Sequence, residues 1–188
     1  MITLGIIADT HIPDRMLRLH PKVLPVFRRA GVQAILHAGD VSVPRVLHEL
    51  ETVAPVHAVR GNRDWFSLRR LPNCLRLEFS GVKIGLAHGH GNFLRYMIEK
   101  PRNLLLGLKE EAYINYVLSV FPDMDVIVFG HMHRVVKQRL NGKLVFDPGS
   151  ACCADDLEKG PTVGLLHLTA EGQFEAEVVY LKTVSEGG

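Results

Sequence analysis

The chain has 188 residues, of which 47% are hydrophobic, 22% charged and 7% aromatic, a composition that excludes disordered, collagenous and coiled-coil classes and fits one soluble domain over residues 1–188. A chain of this length buries roughly 70% of its extended surface on folding, so it needs neither a disulfide nor a structural metal. The net charge of +2 does not mark a nucleic-acid binder, because that reading requires Lys and Arg gathered on one face.

Ile2–Ala8 is a short apolar run followed by a polar cluster, the pattern of a buried strand ending in a loop. Pro21–Ala30 has helical spacing and closes at Gly31; Gln33–His37 is a second strand, Val43–Glu51 a second helix with Ser42 as its expected N-cap, and Pro55–Val59 a third strand. Strands alternating with helices imply parallel pairing through right-handed crossovers. Leu75–Phe79 and Val82–Ala87 then alternate around Ser80-Gly81, as an antiparallel hairpin does. A long helical stretch with Leu104, Leu105, Leu108, Ala112, Val117 and Leu118 on one side ends near Phe121, where Pro122 stops it. Val126–Phe129 is another buried strand, Asn141-Gly142 joins Val135–Leu140 to Lys143–Phe146, and Thr162–Leu168 and Phe174–Leu181 close the order around Glu171-Gly172. The expected architecture is one α/β domain with about two β-sheets packed face to face.

The segment before Asp9 is apolar but lacks a basic leader, and no apolar run reaches the ~18 residues of a membrane span. Cys74, Cys152 and Cys153 have neither ligand nor redox spacing, which suits a reducing cytoplasm. The localisation expected is therefore cytoplasmic, with no membrane partner. Homo-oligomerisation is left open.

Ten histidines are the compositional oddity, and half of them stand directly after strands. Asp9 and His11 follow the first strand, Gly39-Asp40 the second and Gly61-Asn62-Arg63-Asp64 the third; His88 and His90 follow Val82–Ala87, and His131 and His133 follow Val126–Phe129. In an open parallel sheet, the carboxyl ends of the strands line one edge, and ligand sites form there. Asp9, His11, Asp40, Asn62, His88, His131 and His133 together offer more oxygen and imidazole ligands than one catalytic ion takes from protein. Two divalent ions are implied. A shared carboxylate such as Asp40 would hold them ~3.5–4 Å apart, a separation suited to in-line displacement at phosphorus by a bridging hydroxide. Mixed His and carboxylate ligands suit Mn, Fe, Ni, Co or Zn alike and availability decides among them; Mn is the expectation taken first, and the ligand chemistry does not select it.

These blocks resemble the signature of the calcineurin-like metallophosphoesterase superfamily: Asp9-Thr10-His11, Gly39-Asp40, Gly61-Asn62-Arg63-Asp64, His88-Gly89-His90 and Gly130-His131-Met132-His133 occur in its order. The closing Asp147-Pro148-Gly149-Ser150 is similar to the small single-domain phosphodiesterase branch, and to the retromer subunit built on the same fold. The resemblance implies an α/β fold, a four-layer αββα sandwich of two mixed β-sheets packed face to face with helices outside, and a dinuclear phosphodiesterase acting on a small phosphodiester or nucleotide. One ion would lie on Asp9, His11, Asp40 and His133, the other on Asp40, Asn62, His88 and His131. Asp40, Asn62 and His88 would be the catalytic core, with His90 left to contact phosphate.

Where much of the superfamily has a histidine after Gly-Asn, this chain has Arg63. A guanidinium stays protonated at any working pH, so it cannot act as a general acid, although it can hold a phosphate oxygen. The expectation is a modest phosphodiesterase biased toward good leaving groups. A scaffold for protein partners and a metal-dependent nuclease are the alternatives. Taken alone, His131 and His133 also fit a solvated strand end, and Trp65 and Phe66 fit either substrate stacking or packing beneath the rim. Arg69, Arg70, Lys100 and Arg102 fit either anion steering or an ordinary solvated face. His37 reads as a hydrogen-bonded core residue, and Cys152-Cys153 as small buried hydrophobes.

Overall fold

The computed structural model describes residues 1–91, 109–153 and 158–184. In chain order its elements are β1 (Ile2–Ile7), α1 (Val23–Arg29), β2 (Ala34–His37), α2 (Pro44–Glu51), β3 (Val56–Ala58), β4 (Cys74–Phe79), β5 (Val82–Ala87), α3 (Glu110–Val120), β6 (Val126–Val128), β7 (Val135–Leu140), β8 (Lys143–Pro148), β9 (Thr162–Leu168) and β10 (Phe174–Tyr180).

Two mixed five-stranded sheets result, ordered β10-β9-β1-β2-β3 and β4-β5-β6-β8-β7. The β1–β2 and β2–β3 pairs are parallel, as the intervening helices require, and β5, β6 and β8 are parallel in the second sheet. The hairpin registers Phe79↔Val82 and Leu140↔Lys143 leave two-residue turns. Ser80-Gly81 and Asn141-Gly142 have positive φ at both positions, the primed-turn geometry that matches strand twist.

Period-two alternation assigns the sides. Along β1, Leu4 and Ile6 enter a cluster with Leu36, Ile84, Leu86, Val128 and Phe146, which fills the space between the sheets. Ile7 instead joins Val23, Phe27, Val46 and Leu50 of α1 and α2 on the outer face of the first sheet. On the far side, Tyr113, Ile114 and Val117 of α3 cover Ile127 and Val145 of the second sheet. Three apolar layers thus hold four structural ones, and each fully buried Leu or Ile contributes about 1.5–3 kcal/mol.

Two local expectations are corrected. Ser42 does not cap α2: the residue before the helix is Val43, which makes no side-chain cap bond. Ser42 instead has φ 71°, and its backbone is held on both sides, N–H by Asp64 at 2.7 Å and carbonyl by Ser67 at 2.6 Å. Pro44 at the first turn leaves one fewer donor for a cap to satisfy. Helix α1 begins at Val23, two residues later than Pro21 suggests, because Lys22 stands outside it as the N-cap. Leu104, Leu105 and Leu108 lie outside the described residues, as do Lys100 and Arg102. Within them, α3 buries Tyr113, Ile114 and Val117, with Phe121 as C-cap before Pro122. Among the described residues, no helix is long and apolar enough to cross a membrane.

Candidate metal centre

All five strand-end blocks converge at the carboxyl edge where the two sheets face each other. Asp9, His11, Asp40 and His88 are buried, with exposures of 0–2%. Their backbones are unusual. Asp9, His11, Asp40, His131 and His133 all occupy the left-handed region, with φ between 48° and 81°. Few non-glycine residues tolerate that conformation, and such residues cluster where a surrounding fold holds a functional geometry in place.

The chain turns this sharply because other groups hold it. Asp9 donates its N–H to the Gly39 carbonyl at 3.0 Å and accepts a bond from Ser150 Oγ on its own carbonyl at 2.8 Å. Its carboxylate Oδ2 accepts the backbone N–H of His131 at 2.9 Å, tying the first sheet to the second. Asp64 is fully buried and accepts three backbone N–H bonds, from Val41, Ser42 and Gly61, at 2.7–3.3 Å. It fastens the loop after β2 to the loop after β3. Gly61 has no freedom to carry a side chain, since a Cβ there would collide with the Asp40 carboxylate and amide.

Asp9 Oδ1 lies 3.6 Å from His11 Nε2, 3.4 Å from His133 Nε2 and 4.0 Å from His88 Nε2. At these distances and angles none of the three rings donates a hydrogen bond to it, so Asp9 Oδ1 and His11 Nδ1 are buried without hydrogen-bond partners. Asp40 reaches both groups: Oδ1 is 3.4 Å from His88 Nε2 and Oδ2 is 3.8 Å from His11 Nδ1. Asn62 Oδ1 lies 3.2 Å from His88 Nε2 and 3.0 Å from His131 Nδ1. Asp9, His11 and His133, and separately Asp9, Asp40 and His88, bring ligand atoms within 4.8 Å of one another. Asp9 is the carboxylate common to both triads, while Asp40 has one oxygen toward each. A buried carboxylate oxygen with no donor costs on the order of 1–3 kcal/mol or more unless a cation meets it, so the donor set fits divalent metal.

Two histidines are oriented by backbone carbonyls. His88 Nδ1 is 2.7 Å from the Ala38 carbonyl and His133 Nδ1 is 3.1 Å from that of Cys153. A carbonyl only accepts, so Nδ1 carries a proton in each ring and Nε2 is the nitrogen turned toward the carboxylates. His11 Nε2 and His133 Nε2 face each other at 2.9 Å across the same space.

The electrostatics divide the two carboxylates. Burial would raise Asp9, but polar contacts to His11 and His133 and the charge of His88 overcome it and hold the group well below the ordinary carboxylate value. Asp40 is raised, by burial first and by the charge of Asp9. Burial works against protonation of His88, yet Asp40 and Asp9 outweigh it and raise that pKa, as they would attract any cation placed there. His131 is pulled to about 3, by burial and then by the charge of His88, which leaves a neutral imidazole.

The remaining expected residues lie around this centre. His90 is 5% exposed, its ring 5.2 Å from that of His88 and 6.3 Å from that of Trp65, with its pKa pushed to about 2 chiefly by burial. Arg63 donates its backbone N–H to Asp40 Oδ1 at 2.8 Å, and its guanidinium lies 2.8 Å from Asp14 Oδ2 and 3.9 Å from Asp40 Oδ2. Trp65 is half-buried beneath the Arg60 guanidinium, 5.9 Å from its ring centre, whereas Phe66 is 96% exposed. His37 is fully buried: its Nδ1 accepts the Gly39 N–H at 3.2 Å and its Nε2 is 3.4 Å from Thr10 Oγ1. Cys152 and Cys153 are half-buried rather than buried, and burial pushes the Cys152 thiol up, away from a reactive thiolate. Asp64, Ser150 and the carbonyls of Ala38 and Cys153 are the positioning groups that reading the sequence did not single out for these roles. Asp64, inside the third block, and Ser150, inside the closing Asp147-Pro148-Gly149-Ser150, had a local signal; the two carbonyls had none.

Residues 2–171 match the family model of the calcineurin-like phosphoesterase superfamily domain. The chain is 33% identical over 176 residues to a probable metallophosphoesterase of Methanothermobacter thermautotrophicus, covering 94% of this chain and 91% of that protein. It is 26% identical over 176 residues to a phosphodiesterase of Methanocaldococcus jannaschii, covering 87% and 91% of the two chains. In fold it is similar to wild-type Vps29 of Entamoeba histolytica solved in complex with zinc, with a TM-score of 0.68 at 23% identity over 96% of this chain and 99% of that one. The matched span contains every residue of the buried carboxylate and imidazole cluster, so sequence, fold and donor set agree that this chain belongs to the calcineurin-like phosphoesterase superfamily.

Proposed function

We propose that the chain is a dinuclear metal-dependent phosphodiesterase acting on a small phosphodiester or nucleotide, and that it works in the cytoplasm. The observation that carries this reading is the buried, donorless Asp9 Oδ1 ringed by the Nε2 atoms of His11, His88 and His133. Asp9, His11, Asp40 and His133 would hold one ion and Asp40, Asn62, His88 and His131 the other, with Asp40 between them. Two divalent ions, Mn²⁺ first among candidates, would supply Lewis acidity and offset the phosphate charge.

The protein's own groups set the geometry. The Ala38 and Cys153 carbonyls hold the Nδ1 sides of His88 and His133, so both Nε2 atoms are aimed at the carboxylates before any ligand arrives, and His88 would give up on metal binding the Nε2 proton that Asp40 and Asp9 favour there. Burial and the charge of His88 keep His131 neutral, hence free to ligate at neutral pH. Arg63 stands 3.9 Å from Asp40 Oδ2 and would bind a phosphate oxygen; it holds its proton and cannot give it to a leaving alkoxide. His90, buried between His88 and Trp65, would act as a phosphate contact only through a small movement of its ring.

Metal analysis followed by assay of bis(p-nitrophenyl) phosphate with Mn²⁺, Ni²⁺, Zn²⁺ or chelator tests this. Metal-dependent turnover is expected, with slower cleavage of monoesters. Folded protein that binds metal but turns over no diester with any ion would refute the enzyme and favour the scaffold alternative.

A further inference from the structure

The turn that follows β8 is anchored to the ends of three strands. Asp147 Oδ1 accepts the Gly149 N–H at 2.8 Å, the Ser150 carbonyl accepts the Thr162 N–H at 2.9 Å, and the Ala151 N–H donates to the Ala8 carbonyl at 3.1 Å. Gly149 has φ 82°, and a Cβ there would collide with Thr162 Oγ1, so the turn has no room for a side chain at that point.

Ser150 follows, with no exposure to solvent. A hydroxyl offers one donor and two acceptor positions, and here all three are taken by backbone. Ser150 Oγ donates to the Asp9 carbonyl at 2.8 Å and accepts the N–H groups of Cys152 at 3.2 Å and Cys153 at 2.9 Å. Both ends of this bridge lead to ligand positions of one triad. Asp9 is itself in that triad, on a left-handed backbone of φ 53° that needs holding. The Cys153 carbonyl orients His133 through Nδ1 at 3.1 Å. One buried oxygen thus joins the supports of a carboxylate and an imidazole whose Oδ1 and Nε2 stand 3.4 Å apart.

The residues assigned to the other ion are fastened by different groups. The Ala38 carbonyl holds His88 Nδ1 at 2.7 Å, and Asp64 holds the loop bearing Asn62 through the Gly61 N–H at 2.8 Å. The His131 N–H does reach Asp9 Oδ2 at 2.9 Å, but its ring is set by Asn62 Oδ1 at 3.0 Å and by the Tyr113 ring, 5.3 Å away between centres. Asp40, common to both ions, is held by the Arg63 N–H at 2.8 Å.

We infer that Ser150 is a positioning residue for the ion on Asp9, His11, Asp40 and His133 alone, so that the two metal positions are supported separately. The inference rests on the two-ion reading above. Ser150 acts through the backbones of Asp9 and Cys153 and touches neither metal nor substrate. A hydroxyl that merely held the fold together would, on removal, weaken both ions alike.

The test is calorimetric titration of the chelator-stripped protein with Mn²⁺, with bound metal counted by elemental analysis. Ser150→Ala should weaken one of the two ions about 10- to 100-fold, as loss of a group that orients a ligand does, and leave the other within about 2-fold. In the His88→Gln background, which keeps the Asp9–His133 ion, adding Ser150→Ala should weaken the remaining ion by the same factor; in His133→Gly it should change the remaining ion by no more than about 2-fold. Equal weakening of both ions, unchanged affinities, or a weaker remaining ion in His133→Gly would overturn the inference. Should Ser150→Ala not fold, the wild type answers the same question, because coupling is reciprocal. Saturating Zn²⁺ should slow amide exchange at Cys152 and Cys153 in wild type and His88→Gln but not in His133→Gly, and equal slowing in all three would overturn the inference. A wild type that binds one ion defeats the two-ion reading, and loss of that ion in Ser150→Ala then upholds the positioning role; a wild type that binds none overturns both. Two ions bound without diester cleavage defeat the phosphodiesterase reading alone.

Discussion

Arg63 and Asp14, 49 positions apart in the chain, meet at 2.8 Å over the rim of the metal centre, while the Arg63 backbone N–H is bonded to Asp40 beneath. The side chains are 37% and 44% exposed, so the pair adds little to stability, roughly 0–1 kcal/mol. Its consequence is chemical. A guanidinium stands where a proton donor is expected in much of the superfamily.

Arg63→His should therefore restore general-acid help. With p-nitrophenyl diesters the rate should change little, because that leaving group needs no proton; with poor alkoxide leaving groups it should rise, toward the 10²–10⁴-fold typical of such catalysis. The check is the dependence of log kcat/KM on leaving-group pKa, which should flatten. An identical slope in both proteins would show that position 63 does not govern protonation.

Asp40→Asn should separate folding from metal binding. Asp40 is raised by burial and by Asp9, so neutralising it removes a repulsion and should leave the chelated protein at least as stable. Saturation at about 100 times Kd stabilises wild type by ~2.7 kcal/mol, which in a chain of this length is a rise in Tm of about 5–10 °C. The variant should lose most of that rise and at least about 100-fold in turnover. Differential scanning fluorimetry with and without Mn²⁺ reads both arms; full retention of the metal-induced shift would count against Asp40 as a ligand.

Asp64→Ala should cost stability rather than chemistry. Three backbone donors would be left buried without an acceptor, for a total on the order of 2–5 kcal/mol given that such losses do not add. The loop bearing Asn62 would loosen, so metal affinity should fall together with the urea midpoint. A variant with an unchanged midpoint would mean that solvent satisfies these groups.

His37 supplies a pH dependence of defined sign. Burial chiefly lowers its pKa from 6.5 to about 4, with nearby Asp64 and Asp9 opposing. Above pH 6.5 neither state is protonated there and nothing is lost. Between 6.5 and about 4 the unfolded chain takes up a proton that the folded chain refuses, so stability falls as pH falls, by about 3 kcal/mol in all, and levels off below. His37→Gln in chelator should remove that segment of the profile relative to wild type. Parallel urea-unfolding profiles for the two proteins between pH 7 and 4 would refute the assignment.

What was legible in the sequence was what is local. Gly39-Asp40 or His131-Met132-His133 is a short block at a strand end, and Ser80-Gly81 or Asn141-Gly142 carries its turn in two residues. The groups that aim the ligands have no such signature. The carbonyls of Ala38 and Cys153 are backbone atoms that any residue would supply, and Asp64 acts across 22 or 23 positions on Ser42 and Val41. Ser42 read as a helix cap because its type and position fit one, but Asp64 and Ser67 hold its backbone in a different conformation. The Asp14 partner of Arg63 was beyond any local pattern.

The left-handed backbones of Asp9, His11, Asp40, His131 and His133 bear on how this centre should be dissected by mutagenesis. Aspartate and histidine are among the few chiral residues that tolerate such a backbone, whereas alanine brings a Cβ penalty of its own. An alanine scan would therefore confound loss of a donor atom with added conformational strain at these five positions, but not at His88, whose φ is not positive. Glycine replacements remove the donor and relax the backbone together, so the difference between His131→Gly and His131→Ala measures what the turn alone demands.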